Sequence, residues 1–417
     1  MNPKNILGQL YSHKEQIIVL GIIGVFLFRL KGIFLVRFSP SSLEMQYTSF
    51  LQNGTFISDD QIYALAGWRY IHGANPSTIN FEHPPLAKYF IGVSEMLFGN
   101  PLILSLIFSS LSLIFLYFIA RNIIKYFPFT LIPVLMLSMD KLYMEFSSTS
   151  LLDIYLVFFS LLSIYFLVRS RDQLIFRPLI YLSAGLAIAC KWSGIFLFIA
   201  FLIYFTATKD KNEFKFLPAG ILISLLTYIS TYTVFFLSAN TLVDFFKLQI
   251  DMYNFQHFMR FERGTPPPLW IFMNFLIGVE GPALHRIVEI IPDQGILKYG
   301  EPTYGLSLIK SYNPLTWPLS FSSSIVMIWY TYRYRDLKSI IIPISFFSVF
   351  ATISLGQVFP WYILPALPLG FLSLTYFIHR TYNNTINKLP AKIFLSLYII
   401  SLIIFSFIKL PTFIPLK

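Results

Sequence analysis

Eleven apolar runs, each long enough or nearly long enough to cross a hydrocarbon layer of about 30 Å, divide this chain of 417 residues. They fall near residues 17–36, 101–120, 127–139, 151–168, 178–190, 192–207, 216–238, 316–332, 339–356, 358–378 and 393–409. Runs of this length, in a chain with only 12% charged residues and a mean hydropathy of +0.66, exclude a soluble fold. The pattern predicts an all-α, polytopic membrane protein of about 11 transmembrane helices.

The net charge of +11 would raise nucleic acid as a partner if its placement were ignored. Sixteen basic and five acidic residues lie in alternating short segments: those holding Lys4 and Lys14, Arg121 and Lys125, Arg169 to Arg177, Lys209 to Lys215, Arg333 to Lys338, and Arg380 to Lys392. The remaining basic and acidic residues balance, fifteen of each, so the whole net charge obeys the positive-inside rule and is a topology signal. A nucleic-acid partner is excluded. The basic segments and the N-terminus are expected on the cytoplasmic side of the cell membrane. The opposite face then carries 38–100, 140–150, the point around Lys191, 239–315 and a link near 357.

Residues 86–98 form a run of 13, about 20 Å as a helix, and counting it as a span would invert every later loop. It reads as tilted, re-entrant or interfacial. By the same charge argument, the runs flanking Cys190-Lys191-Trp192 are two short helices meeting at an outer turn. The 17–36 run, with Arg29 and Lys31 and no small-residue cleavage pattern after it, reads as an anchor. One integral-membrane unit, 1–417, is expected, with a first outer loop at 38–100 and a large one at 239–315. The single cysteine, Cys190, rules out an intrachain disulfide or a thiolate metal cluster.

Ionisable residues gather on the outer side. Asp59 and Asp60 precede QIYALAGWRY, where Ser58 or Asp59 could cap a helix, or a carboxylate at the lipid boundary could act as a general base. Glu82-His83-Pro84-Pro85-Leu86-Ala87-Lys88 fixes an extended entry to the short helix and puts His83 and Lys88 near one surface, suited either to headgroup anchoring or to a lipid-borne phosphate. Asp140, Glu145, Asp153 and Lys191 stand at the outer ends of runs, and Arg29 interrupts the first run and should find a partner. In the large loop, QIDMYNFQHFMRFERGTPPPLW interleaves aromatic and polar residues. That suits helices lying flat over a cavity, with His257, Arg260 and Arg263 available to a substrate.

In order along the chain, these motifs resemble the dolichyl-phosphate-mannose protein mannosyltransferases, within the C-type glycosyltransferases. Asp59-Asp60-Gln61-Ile62-Tyr63 is similar to the family's acidic pair before an aromatic. His83 to Lys88 is similar to HPPLGK, Leu151-Leu152-Asp153 to LLD, and Lys191-Trp192-Ser193-Gly194 to its Lys-Trp turn. Met252 to Gln256 resembles MWNYH, Tyr312 to Trp317 resembles GNPxxW, and Tyr362 to Pro368 resembles Y-x-LPALP. Asp60 stands where Glu is usual, Gln256 where His is usual with His257 adjacent, and Gln357 where Arg is common. Either Arg29 or Arg37 matches the first-span Arg. The 239–315 stretch is too short for a soluble repeat domain, which resembles a prokaryotic-type member.

The resemblance implies inverting transfer of a mannose-type sugar from a polyprenyl phosphate to Ser or Thr hydroxyls of proteins at the extracytoplasmic face. The partners are then a lipid-phosphate donor, a protein or peptide acceptor and the bilayer. It implies Asp59 as base, Asp60 as orienting group, Arg29, His83, Lys88 and Lys191 on the phosphate, and Asp153, Trp192 and His257 in the substrate site. The leaving group is already anionic, so no cofactor is required, and two adjacent aspartates alone do not imply a divalent metal. The rival readings are a sugar transferase with a glycolipid acceptor and a membrane transporter.

Overall fold

The computed structural model describes residues 14–262, 269–285, 288–290, 297–299, 303–354, 359–386 and 388–415. Each of the eleven apolar runs coincides with a helix. They are α1 (Lys14–Arg29), α5 (Ile103–Ile123), α6 (Ile132–Met139), α8 (Asp153–Ser170), α9 (Arg177–Cys190), α10 (Phe196–Thr208), α11 (Lys211–Ser230), α15 (Trp317–Arg333), α16 (Ile341–Ser354), α17 (Ala366–Asn384) and α18 (Lys388–Phe405). Four of them, α5, α8, α11 and α18, are long and apolar enough individually to cross a membrane. The other helices lie between: α2 (Pro40–Asn53), α3 (Asp59–Ile71), α4 (Leu86–Phe98), α7 (Lys141–Ser147), α12 (Thr233–Leu237), α13 (Leu242–Glu262) and α14 (Trp270–Ile277).

α8 is the axis of the bundle, buried on nearly every side and packed against α5 and α9, while α9 also packs on α11 and α17 on α15. A helix apolar all round belongs in such a position. The first outer loop is built on glycines. α3 and α4 cross where Gly67 meets Gly92, so closely that a Cβ on Gly92 would lie 2.2 Å from the Gly67 carbonyl oxygen. Phe90 of α4 then stacks on Tyr155 of α8 at 5.5 Å, fixing the loop to the bundle.

The helical class holds, with one addition. Residues after α14 form strands β1 (Val279–His285), β2 (Val288–Ile290), β3 (Leu297–Tyr299) and β4 (Thr303–Leu308), and β5 (Phe413–Pro415) comes from the far end of the chain. β1, β4 and β5 make a three-stranded antiparallel sheet, with Leu306 opposite Pro282 on one side and Ile414 on the other; β2 pairs with β3. Among the described residues, the 239–315 stretch is therefore part helix and part sheet.

Candidate active site

Ser58 is the N-cap of α3, and its backbone N–H donates to Gln61 Oε1 at 3.2 Å. Capping thus falls to Ser58 and Gln61, and Asp59 and Asp60 occupy the first turn, where the helix dipole favours negative charge. Asp59 is exposed, and Asp60 is half-buried with its carbonyl accepting from Ser150 Oγ at 2.9 Å. That bond ties the acidic pair to the residues just before Asp153.

Lys191 sits in the extended residue between α9 and the 3-10 turn Trp192–Ile195, confirming two short helices meeting there. The turn is tight. A Cβ on Gly194 would fall 2.8 Å from the Ile188 nitrogen, so only glycine lets the chain fold back over the end of α9. The Lys191 ammonium donates to both Asp153 oxygens, at 2.8 and 3.0 Å, and lies 4.1 Å from the centre of the Tyr362 ring. Both charged side chains are buried, a cost that mutual pairing offsets.

The acidic pair and this ion pair share one electrostatic neighbourhood. Burial, then the charges of Asp59, Asp153 and Glu82 together with the Tyr362 phenol, push the Tyr63 hydroxyl far above its ordinary value. Burial, then the ammonium groups of Lys191 and Lys88, hold His83 well below the usual imidazole value, so it is neutral at pH 7. His83 meets Tyr63 edge to face at 5.9 Å. Asp59, Tyr63, His83, Asp153, Lys191 and Tyr362, from five separate stretches of sequence, therefore converge. Tyr63 and Tyr362 were not singled out as site residues by sequence reasoning. Each lay inside a recognised motif, and only its aromatic character marked it.

Three candidates sit differently from expectation. Lys88 does not face outward: it is fully buried, and its ammonium donates to the Asn80 carbonyl, to Asn80 Oδ1 at 2.9 Å and to the His83 carbonyl at 2.8 Å. Three acceptors satisfy its three N–H groups, so Lys88 folds the loop that carries His83. Arg29 has the partners it needed, but elsewhere: Met139 Sδ and the Ser406 carbonyl, each at 3.2 Å, with Phe407 under its guanidinium. Arg37 donates to the carbonyls of Phe34 and Val36. His257 is exposed and stacks on Tyr253, one residue past Gln256, whose amide donates to the Glu82 carbonyl at 3.2 Å. With Phe255 against Phe81, that contact joins the two outer loops. Arg263, Gln357 and the Arg260 side chain lie outside the described residues.

Of the remaining outer acids, Asp140 is structural: it caps α7 through the Tyr143 N–H at 3.1 Å and accepts from Trp317 Nε1 at 2.9 Å. Glu145 accepts from Ser311 Oγ. Beside Lys191, Trp192 donates to Tyr228 Oη at 2.9 Å and lines a groove of about 580 Å³. Ile188, Ile195, Phe198, Ile221 and Leu225 make its walls. An apolar groove thus opens at Trp192, beside the buried Lys191. Asp59, Asp153 and Lys191 each stand at a helix end.

This architecture is found in solved membrane glycosyltransferases. ArnT from Cupriavidus metallidurans bound to undecaprenyl phosphate superposes with a TM-score of 0.60 at 15% identity, over 94% of this chain and 64% of that one. The protein O-mannosyltransferase complex of S. cerevisiae bound to the sugar donor gives 0.58 at 12%, over 94% and 89%. The fold is that of the polytopic C-type glycosyltransferases. Within that class, residues 82–234 of the chain match the model of the dolichyl-phosphate-mannose-protein mannosyltransferase family. The family resemblance is borne out, and the motifs from His83 to Gly194 lie within the matched stretch. A polyprenol-phosphate-mannose–protein mannosyltransferase of Corynebacterium glutamicum is 26% identical where aligned, over 45% of this chain and 46% of the relative; that of Mycolicibacterium smegmatis is 28% identical over 38% and 37%. The chain spans less than half the length of these curated relatives.

Proposed function

We propose that this protein transfers a mannose-type sugar from a polyprenyl phosphate to a Ser or Thr hydroxyl of a protein acceptor, with inversion, at the extracytoplasmic face of the cell membrane. The observation that carries the reading is the occurrence together of three features: Asp59 exposed beside a half-buried Asp60, a buried lysine oriented by an aspartate, and an apolar groove lined by Trp192. The groove suits a prenyl chain, and the relatives named above are described as acting with polyprenol-phosphate-mannose.

Asp59 takes the proton from the acceptor hydroxyl as its oxygen attacks the anomeric carbon. The bond from that carbon to the phosphate oxygen breaks, and its electron pair leaves on the phosphate. Charge builds there in the transition state, and preorganised donors are worth most at that point. At most two of the three Lys191 N–H groups are engaged by Asp153, so one is available for the phosphate, and neutral His83 offers a ring N–H. Asp60 orients hydroxyls of acceptor or sugar.

The test is to incubate membranes containing the protein with labelled polyprenyl-phosphate mannose and a Ser/Thr peptide. Label in the peptide, lost in the Asp59→Asn variant, is the expected result. Label in a lipid fraction would instead identify a glycolipid acceptor, and no Asp59-dependent transfer would overturn the reading.

A further inference from the structure

At the other end of the bundle, the turn after α5, the loop after α15 and the last turns of α17 border a half-open pocket of about 310 Å³. Lys338 on its wall donates to Asp172 just beyond the end of α8, at 3.0 Å. Since α8 begins at Asp153, the cavity lies one helix length from the Asp153–Lys191 pair, roughly 27 Å at 1.5 Å per residue.

Lys125, Lys338 and Arg380 line this pocket from three distant segments; Asp172 just beyond it pairs with Lys338, and Asp336 is the carboxylate on its wall. That carboxylate is well used: it accepts from Ser339 Oγ at 2.9 Å and Tyr376 Oη at 3.0 Å, and pairs with Arg380 at 3.6 Å. The donors are not. Arg380 gives one terminal nitrogen to Tyr376 Oη at 2.9 Å, while its buried Nε has no partner. Lys125, held in left-handed backbone at φ 60°, is exposed, and its side chain makes no hydrogen bond or ion pair among the described residues.

Positive-inside placement asks only that basic residues lie on one face; it does not ask residues from three distant segments to line one pocket. We propose that this pocket is a second binding site, for the phosphodiester of an anionic membrane lipid, with Lys125 Nζ and the Arg380 guanidinium as its cationic groups beside the Lys338–Asp172 pair. An anion supplies what the site lacks, and its position at the helix ends is headgroup depth.

The full chain, purified in an uncharged detergent, is titrated with dihexanoyl phosphatidylglycerol and separately with inorganic phosphate, and thermal unfolding is followed. The lipid should raise the unfolding temperature saturably. Lys125→Ala, at an exposed side chain where folding is spared, should raise the half-saturating concentration about tenfold, the worth of one charge-assisted hydrogen bond. Arg380→Gln should do the same. An unchanged titration in the Lys125 variant would put the lipid elsewhere and overturn the site, as would the absence of any saturable shift. A response to inorganic phosphate with none to the lipid would overturn the lipid as ligand. None of these readings depends on sugar transfer, so this proposal and the one above fail separately.

Discussion

Asp153 and Lys191, with side chains 6% and 10% exposed, hold the most thoroughly desolvated ion pair among the described residues. Removing one partner strands the other charge, so Asp153→Asn or Lys191→Met should each destabilise the protein by about 3–5 kcal/mol, while the double change Asp153→Leu with Lys191→Met should cost much less. Thermal unfolding of the three variants checks this, and additive losses would mean the pair is not coupled. Asp59 should behave in the opposite manner. Exposed, and keeping its volume as Asn, it should unfold with a smaller shift than either buried partner, yet transfer to a peptide should fall below detection; Asp60→Asn should lose less. Sequence marked these charges but could not say which were structural. The Trp317 indole that occupies Asp140 lies 177 residues away, and the carbonyls that consume Lys88 belong to Asn80, in left-handed backbone at φ 49°, and to His83. Backbone acceptors carry no residue-type signature.

Among the elements, α3 and α4 govern where Asp59 sits. Gly92→Ala forces the two helices apart against backbone atoms that cannot rotate away, so it should cost about 1–3 kcal/mol and reduce transfer although it lies far along α4 from the acids. Assay and unfolding on the same preparation test it; a fully active Gly92→Ala protein would contradict the close crossing. A second clasp, the Glu44–Arg69 ion pair, joins α2 to α3. The hydrogen bond from Arg69 holds the Glu44 carboxyl below its usual 4.5, with burial opposing. A carboxyl depressed in the folded state stabilises fully above its unfolded value and loses that contribution as pH falls below it. Since both side chains are 30–39% exposed, the effect is at most about 0.5 kcal/mol. Unfolding curves taken between pH 6 and 3, read against Glu44→Gln, should show the wild type losing slightly more stability. The helices were legible because apolar runs of 13 or more residues admit few alternatives in lipid, down to the bounds of α4. The sheet was not: β5 pairs with β4 across more than a hundred residues, and three-residue strands leave no periodic signal.

For the whole molecule, the charge pattern and the fold make one arrangement testable. On the proposed topology, a cysteine near residue 60 should react with a membrane-impermeant reagent from outside intact cells, and one near Lys211 or Arg335 should not. Cys190 is buried and contributes little background, though it is best replaced first. Labelling at both 60 and 211 would mean that α4 crosses the membrane and that the acids and Lys191 face opposite compartments. The groove beside Trp192 has a further consequence. Ile195, Ile221 and Leu225 on its walls are each close to half exposed, so it opens sideways, toward the surface that a bilayer would cover. A prenyl donor entering there never has to leave the lipid phase, and encounter becomes a two-dimensional search. The governing variable is then the donor's mole fraction in the membrane: diluting vesicles with buffer should leave initial rates per vesicle unchanged, whereas diluting the donor with inert lipid should slow them in proportion.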